Sequence, residues 1–465
     1  MPCPDAIKIS GAPLWPLGGK ELRDLSTGRA FWAALGIVIF LTGYSYIQAA
    51  SLYTEASRSA QKFPELARNL SPLDGILVPT FGALYLAATF LFPFIVIRTV
   101  GAEKQSGAQK MLIQLPYSMF ALLTAKLAAA VVAWAVMLLP SLSALGLWGL
   151  SGGHLSGVEI ANLVLGHFLY ALVIGGISLV AAAVTESPAS ATVAAVGFTL
   201  GFWVLDFAAA GDNELIKNLA GLSLTAVLRT FERGVFSLNV LAGSLLAVLG
   251  LAGIAGIWFH SGHTISRRLR RSALVVIAAA ITLALTVQVH FFRDAAEDRR
   301  NSFSPAVEIA LKTIKGRLNI EVHLAPEDPR LYDLERSLLS KFRRTMGNVE
   351  ITFANARRSR WLSNNGDQYG QVYYRYGGQQ AASRSTSEEE VLPLVFEIAG
   401  LNQSLSAGNM VFPGYPLVTE VRWARIWFYI LFPLIVLFFW GWIYGKFFTL
   451  KNIPWFKSST KGESL

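Results

Sequence analysis

LLTAKLAAAVVAWAVMLLPSLSALGLW, from Leu122 to Trp148, carries a single charge, Lys126, in 27 residues. It lacks the alternation of a half-buried strand. It also exceeds the ~20 apolar residues a helix needs to cross ~30 Å of hydrocarbon. Seven other stretches read the same way: Ala30–Ala50, Ile76–Ile97, Ile160–Val184, Ala191–Ala210, Val240–Phe259, Ala273–His290 and Ile426–Tyr444. All eight are helix-length, which predicts α-helical spans rather than a membrane β-barrel. Composition agrees, with 53% hydrophobic and only 15% charged residues, both on the membrane side of ordinary globular usage.

One long polar block separates the last two spans. The chain therefore divides into a leader (1–29), a six-helix core (30–259), a basic hinge with a seventh helix (260–292), a folded domain (293–425), and an eighth helix with its tail (426–465). The expected fold class is an α-helical polytopic membrane protein, six helices plus two more, with an inserted extracytoplasmic α/β domain. Lysines and arginines crowd cytoplasmic flanks. Arg98, Lys104 and Lys110 fall in one loop, Arg267, Arg268, Arg270 and Arg271 in another, and Lys446, Lys451, Lys457 and Lys461 in the tail. A cytoplasmic N-terminus puts all three groups on the same side and 293–425 on the opposite one. The net charge of +10 is thus a membrane-flank pattern, and no nucleic acid is expected as a partner. Cys3 is the only cysteine, so no internal disulfide forms.

Three stretches carry a signature. Lys20-Glu21-Leu22-Arg23-Asp24-Leu25, followed by Arg29, mixes charge with leucine at helical spacing. It reads as a helix lying on the inner membrane surface or as a solvated leader. After the second span, Glu103-Lys104-Gln105-Ser106-Gly107 is followed by Leu112, the helix-stopping Pro116 and Lys126. Such a loop reads as a short amphipathic docking helix or as a plain connection. Between spans five and six, Leu222-Ser223 precedes Phe231-Glu232-Arg233-Gly234.

The second of these resembles the cytoplasmic loop of type-2 ABC exporter permeases: an acidic residue, a small-residue pair, leucines, a proline, and a basic residue opening the third helix. The leader resembles that family's interfacial helix, and the six-helix count fits. The Leu222–Gly234 stretch resembles the short external helices of the gliding-motility and nitrous-oxide-reductase-maturation branch. Members there often carry a histidine before the phenylalanine and an aspartate after the glycine; neither is present here. The resemblance implies a coupling loop of Glu103, Lys104, Gln105, Ser106, Gly107, Leu112 and Pro116, and an external re-entrant motif of Leu222, Ser223, Phe231, Arg233 and Gly234. It further implies a bacterial inner-membrane location, with 293–425 periplasmic. Implied partners are a cytoplasmic ABC ATPase subunit, which binds ATP and Mg, a second permease chain (a homodimer or close homologue), membrane lipid and a periplasmic client protein.

Within 293–425, Leu318–Leu324, Val349–Phe353 and Gln371–Tyr376 read as strands, and Asp328–Met346 and Ser387–Leu401 as helices. Asp328-Pro329 caps the first helix, and Glu388, Glu389 and Glu390 suit the first turn of the second. The strand–helix–strand order implies a parallel pair. The domain resembles a shortened auxiliary domain of the gliding-motility system, led in by Asn301-Ser302-Phe303-Ser304. Trp361, Tyr373, Tyr374 and Arg375 are candidate ligand contacts there, or one packed and one solvated strand face.

No Walker A loop, Cys-x-x-Cys or His-Glu-x-x-His occurs, so no catalytic residue, cofactor or metal site is expected in this chain. Asp206 and His167 lie in expected spans, where ionisable groups are costly. His167 reads as an interhelical hydrogen bond. The expected function is the permease of an ABC transporter exporting a lipid-like, peptide or envelope-related substrate. The alternative is ATP-driven mechanotransmission or envelope assembly through 293–425.

Overall fold

This computed structural model describes residues 15–114, 117–208, 223–260, 262–286, 291–325, 328–353, 369–401 and 412–451. The leader is a helix, α1 (Trp15–Ser26), which buries Leu17, Glu21 and Leu25. Their spacing of four residues puts them on one face. α2 (Arg29–Lys62) follows and is 34 residues long, about 50 Å at 1.5 Å per residue. It outruns a ~30 Å bilayer core. Its last turns form a stalk beyond Ala50, where the expected span ends.

The second span, Leu73–Ser106, is built in three pieces. A π-helical turn (Leu73–Leu77) leads into α3 (Val78–Phe90) and α4 (Phe92–Ser106). Pro93 falls in the first turn of α4, where its missing N–H costs no intrahelical bond. α4 stops at Gly107, whose φ of 73° is the left-handed cap glycine adopts without a Cβ penalty. The short helix α5 (Ala108–Gln114) follows. α6 (Met119–Leu150) opens with the Ser118 hydroxyl accepting the Ala121 N–H at 3.1 Å.

α7 (Gly157–Val184) is the hub of the bundle, packed by α3, α4, α6 and α8 (Pro188–Ala208). It also carries a small helix, α9 (Leu224–Glu232), and the next span, α10 (Leu238–Phe259). Glycines allow that closeness. A Cβ at Gly166 would fall 2.4 Å from the Cβ of Phe231, and one at Gly176 3.0 Å from a methyl of Leu251. α10 turns back into α11 (Ile265–Thr286). The four arginines expected in a hinge loop therefore sit on the first turns of a helix. The end of the expected seventh span, 287–290, lies outside the described residues.

Among the described residues, seven helices are long and apolar enough to cross a membrane, each on one of the eight expected stretches. The protein is a polytopic α-helical membrane protein with a small sheet domain.

That domain contains α12 (Pro305–Thr313), β3 (Leu318–Val322), and α13 (Pro329–Leu334), which runs through a π turn (Glu335–Leu339) into α14 (Ser340–Thr345). Then come β4 (Val349–Phe353), β5 (Val372–Tyr376), β6 (Gln379–Ser383) and α15 (Glu388–Ile398). The sheet order is β4-β3-β5-β6. β3 and β4 are parallel, as the crossover predicts. The β5–β6 hairpin turns through Gly377 and Gly378, both at positive φ. Ile320, Val322, Leu338, Phe342, Tyr374, Val391 and Val395 fill the core.

The domain is not tethered loosely. β1 (Val235–Ser237), just after α9, pairs antiparallel with β2 (Phe292–Asp294) at the domain's start. The returning chain lies along the α2 stalk: the Leu417 N–H donates to Ser57 Oγ at 2.9 Å and the Tyr53 hydroxyl to the Tyr415 carbonyl at 2.7 Å. It then enters the last span through α16 (Arg422–Ile426), a π turn (Trp427–Leu431) and α17 (Phe432–Lys451). Phe428 packs on Gly43 of α2 so closely that a Cβ there would meet its own Cβ at 2.5 Å.

Candidate functional site

Two polar assemblies stand out, one at each end of the bundle. At the α1 end, Glu21 (3% exposed), Glu103 (6%) and Lys126 (5%) meet away from water. Lys126 Nζ lies 2.9 Å from Glu21 Oε1 and 2.8 Å from Glu103 Oε2, and it donates to the Thr99 carbonyl at 3.1 Å. Lys20 bonds Glu103 from the rim and reaches Glu21 at 3.3 Å and Asp24 at 3.4 Å. Burial alone would lower the Lys20 ammonium, yet Glu103, Glu21 and Asp24 hold it above its ordinary value. A buried carboxylate is tolerated only when paired and hydrogen-bonded. The cluster thus locks α1, α4 and α6 together.

Each member has a local reason to be there. Glu21 lies between Leu17 and Leu25 on the buried stripe of α1. Glu103 is on the last turn of α4, ahead of the Gly107 stop. Lys126 is seven residues into α6. Leu112 of α5 packs beside Leu17, Leu122 and Ala125, which seats the short helix on the same assembly. The neighbouring Lys104 turns away. Its Nζ donates to the carbonyls of Ala182, Ala183 and Thr185 at 2.5, 2.9 and 2.8 Å, and so satisfies the C-terminal end of α7. Gln105 is exposed, and Ser106 Oγ donates back to the Ala102 carbonyl at 2.8 Å. Pro116 lies outside the described residues. A cavity of about 330 Å³ opens beside the cluster, bordered by Lys20, Asp24, Phe31, Arg98 and Ser106.

Residues 15–218 match the family model described as ABC-2 family transporter protein. That match supports an ABC-2 type permease. No curated protein and no solved structure matches the chain. The whole ion cluster lies inside the ABC-2 stretch, and the family supports the permease role of an ABC transporter, which works with a partner ATPase subunit. Permeases of this kind are typically non-enzymatic.

The second assembly lies where the α/β domain meets the bundle, and it joins residues beyond the matched stretch to Asp74, His154, Glu159 and Asn162 within it. Ser223 caps α9, its hydroxyl accepting the Ala226 N–H at 3.1 Å. Phe231 is fully buried against α7, and its carbonyl accepts from Asn162 Nδ2 at 2.8 Å. The Arg233 carbonyl accepts from Asn301 Nδ2 at 2.7 Å and the Gly234 carbonyl from the Ala295 N–H at 2.7 Å. Gly234 is left-handed (φ 79°), and a Cβ there would lie 2.8 Å from Ala296 Cβ. The motif read as re-entrant is thus the socket for the α/β domain. Leu222 lies outside the described residues.

Further ties surround this socket. Asp294 takes the Asn301 N–H and the Ser302 hydroxyl, both at 2.9 Å. Arg300 pairs with Asp74 and with Asp298, and Arg336 lies 3.2 Å from Asp74. Glu159 accepts the Glu297 N–H at 2.8 Å. His154 stacks on Tyr415 with ring centroids 3.8 Å apart, and both bond Glu297. The sequence reading missed Glu21 and this junction. Glu21 had a signal, a carboxylate in phase with leucines four residues to either side. Asp294 and Asn301 had none, since their partners lie across a chain reversal.

Two expectations are corrected. Tyr374 is fully buried in the domain core and has no ligand-facing surface. Its neighbours Tyr373 and Arg375 are engaged internally, Tyr373 with Gln371 at 2.6 Å and Arg375 with Glu321 at 2.8 Å; Trp361 lies outside the described residues. His167, 1% exposed, makes no hydrogen bond from either ring nitrogen among the described residues, and its Nε2 lies 3.6 Å from Glu232 Oε1. The expected interhelical hydrogen bond is therefore not formed. Burial pushes the Glu232 carboxyl up to about 7, against the lowering by Arg229 and Arg233. The Asp206 side chain is outside the described residues.

Proposed function

We propose that this chain is the permease subunit of an ABC exporter in the bacterial inner membrane. Two copies pair, and each recruits a cytoplasmic ATPase at α1, α5 and the Gly107 turn. The supporting observation is the buried Glu21–Lys126–Glu103 cluster. A push on α5 passes through Leu112 to Leu17 of α1 and to Leu122 and Ala125 of α6, and the cluster ties those helices to α4. Such an element switches between packed arrangements rather than bending continuously. The cargo class that fits an envelope permease is a lipid-like, peptide or envelope-related substrate, released on the side of the α/β domain, which is then periplasmic.

The experiment is co-purification of the tagged chain from native membranes, with mass spectrometry of its companions, followed by transport assays of Leu112→Asp and Gly107→Trp. The reading expects a stoichiometric ATPase with wild type. It expects both variants to stay in the membrane and lose transport. A chain that purifies alone in every detergent, or variants that transport normally, overturns it.

A second reading is favoured by the tight docking of the α/β domain on Gly234, Asp74 and the α2 stalk. In it the chain is a mechanotransmission device acting on a periplasmic client. Deleting 293–422 then abolishes all output, whereas an exporter retains some substrate-stimulated flux.

A further inference from the structure

The α/β domain contains a cleft of about 570 Å³ between the 298–305 loop, the α13–α14 helix and the start of α15. That volume is in the ~300–1,000 Å³ range of small-ligand pockets. Most charges around it are already answered. Arg300 is held by Asp298 and Asp74, Arg336 by Asp74, and the buried Lys341 by Glu388. Two are not: the Arg299 guanidinium and the Asp333 carboxylate both line the cleft, and neither side chain has a polar partner among the described residues.

Arg299 is also the only non-glycine residue with positive φ among the described residues, at 50°. A loop that ran through it without a task would favour glycine there. The conformation is enforced from both sides: the Ala296 carbonyl accepts the Arg299 N–H, and the Arg299 carbonyl accepts the Ser302 N–H, each at 3.1 Å. The loop is pinned by Asp294, so the guanidinium is presented from a fixed base.

We infer that this cleft binds a short zwitterionic peptide, its carboxylate on Arg299 and its ammonium on Asp333. The charge inventory selects this class. A phosphate or sulfate would meet Asp298, Asp333 and Glu388 with one uncommitted cation to offset them. Arg299 and Asp333 are exposed and hydrated in the free cleft; a neutral sugar would engage neither charge directly, and the one aromatic ring at the cleft on which it could stack, Phe303, is buried. A zwitterion supplies a partner to each free group and displaces no existing pair. The site is independent of the transport reading and fails or stands separately from it.

The test uses the full chain in lipid nanodiscs, immobilised and exposed to a synthetic pool of tripeptides, with mass spectrometry of what is retained. Pools N-acetylated or C-amidated, maltose and inorganic phosphate serve as competitors. Peptides with both ends free should be retained, and either blocked pool should bind about tenfold more weakly. Arg299→Gly keeps the left-handed backbone. It should lose about tenfold for free-carboxylate peptides and nothing for amidated ones, and Asp333→Asn should do the same for free and acetylated amines. No retention, retention indifferent to end-blocking or to both substitutions, or equal competition by maltose or phosphate would overturn the assignment.

Discussion

The two ends of the bundle are held by different chemistry. At the α1 end, Glu21, Glu103 and Lys126 are nearly dry and depend on one another. At the domain end, the contacts are many and of mixed exposure: backbone pairing of β1 with β2, the buried Asn301 on Arg233, and wetter ion pairs on Asp74, whose side chain is about half exposed. A buried ion cluster has no cheap partial state, because removing one member strands another charge. A wet junction can exchange its bonds for water one at a time. The first suits a part that must move as one body, the second a part that must dock and adjust.

Four substitutions break or sharpen that contrast. The largest effect is expected for Lys126→Met, which leaves Glu21 and Glu103 buried without their shared cation. It should cost about 3–5 kcal/mol and lower the thermal midpoint in detergent sharply. Adding Glu21→Gln and Glu103→Gln should recover most of the loss; no recovery would mean that the cluster is not coupled.

Next is Glu232, whose carboxyl is faced by His167, Arg229 and Arg233. Its folded pKa of about 7 exceeds the ordinary 4.5, so the folded state holds its proton more tightly than the unfolded one. That stabilisation is complete below pH 4.5 and is lost as pH rises to about 7. Glu232→Gln should abolish this slope and, above pH 7, stabilise the protein by on the order of 2–3 kcal/mol. An unchanged pH profile of the melting midpoint would refute the assignment.

Asn301→Ala strands the Arg233 carbonyl and loosens the Asp294 loop. About 1–2 kcal/mol is expected, read locally as faster hydrogen exchange at β1 and β2 with the α1 end unaffected. Asp74→Asn, on the exposed side of the same junction, should cost less than about 1 kcal/mol and vanish in high salt. A larger loss there than at Asn301 would reverse the picture of a forgiving junction.

What could be read from the chain follows the same division. The spans are legible because apolar runs of this length have one dominant solution. The α2 stalk is not, since Ser51–Lys62 carries three charged residues, Glu55, Arg58 and Lys62, and resembles a loop once its neighbours are ignored. Glu103 and Lys126 were marked only by the resemblance to the permease loop, and their meeting with Glu21 depends on α1 folding back over them, which no local pattern encodes. In the α/β domain, strand alternation predicted β3, β4 and β5 yet gave no reason to prefer one face of β5; packing put Val372 and Tyr374 inward. β6, Gln-Gln-Ala-Ala-Ser, lacks β-branched residues altogether and was betrayed only by the Gly-Gly turn before it.

The three π-helical turns, Leu73–Leu77, Glu335–Leu339 and Trp427–Leu431, have a consequence for how the chain tolerates length change. Each holds one residue more than an α-helix needs to connect its flanks. Removing a residue elsewhere in these helices would swing everything downstream by about 100°. Removing one inside a π turn lets the helix tighten with its flanks still in phase. Asp74 and Arg336, which pair with each other, lie in two of these turns, and Phe428, wedged against Gly43, lies in the third. Two of the contacts joining the domain and last span to the bundle therefore sit on spare links, and single-residue deletions should be survived there before anywhere else in the helices.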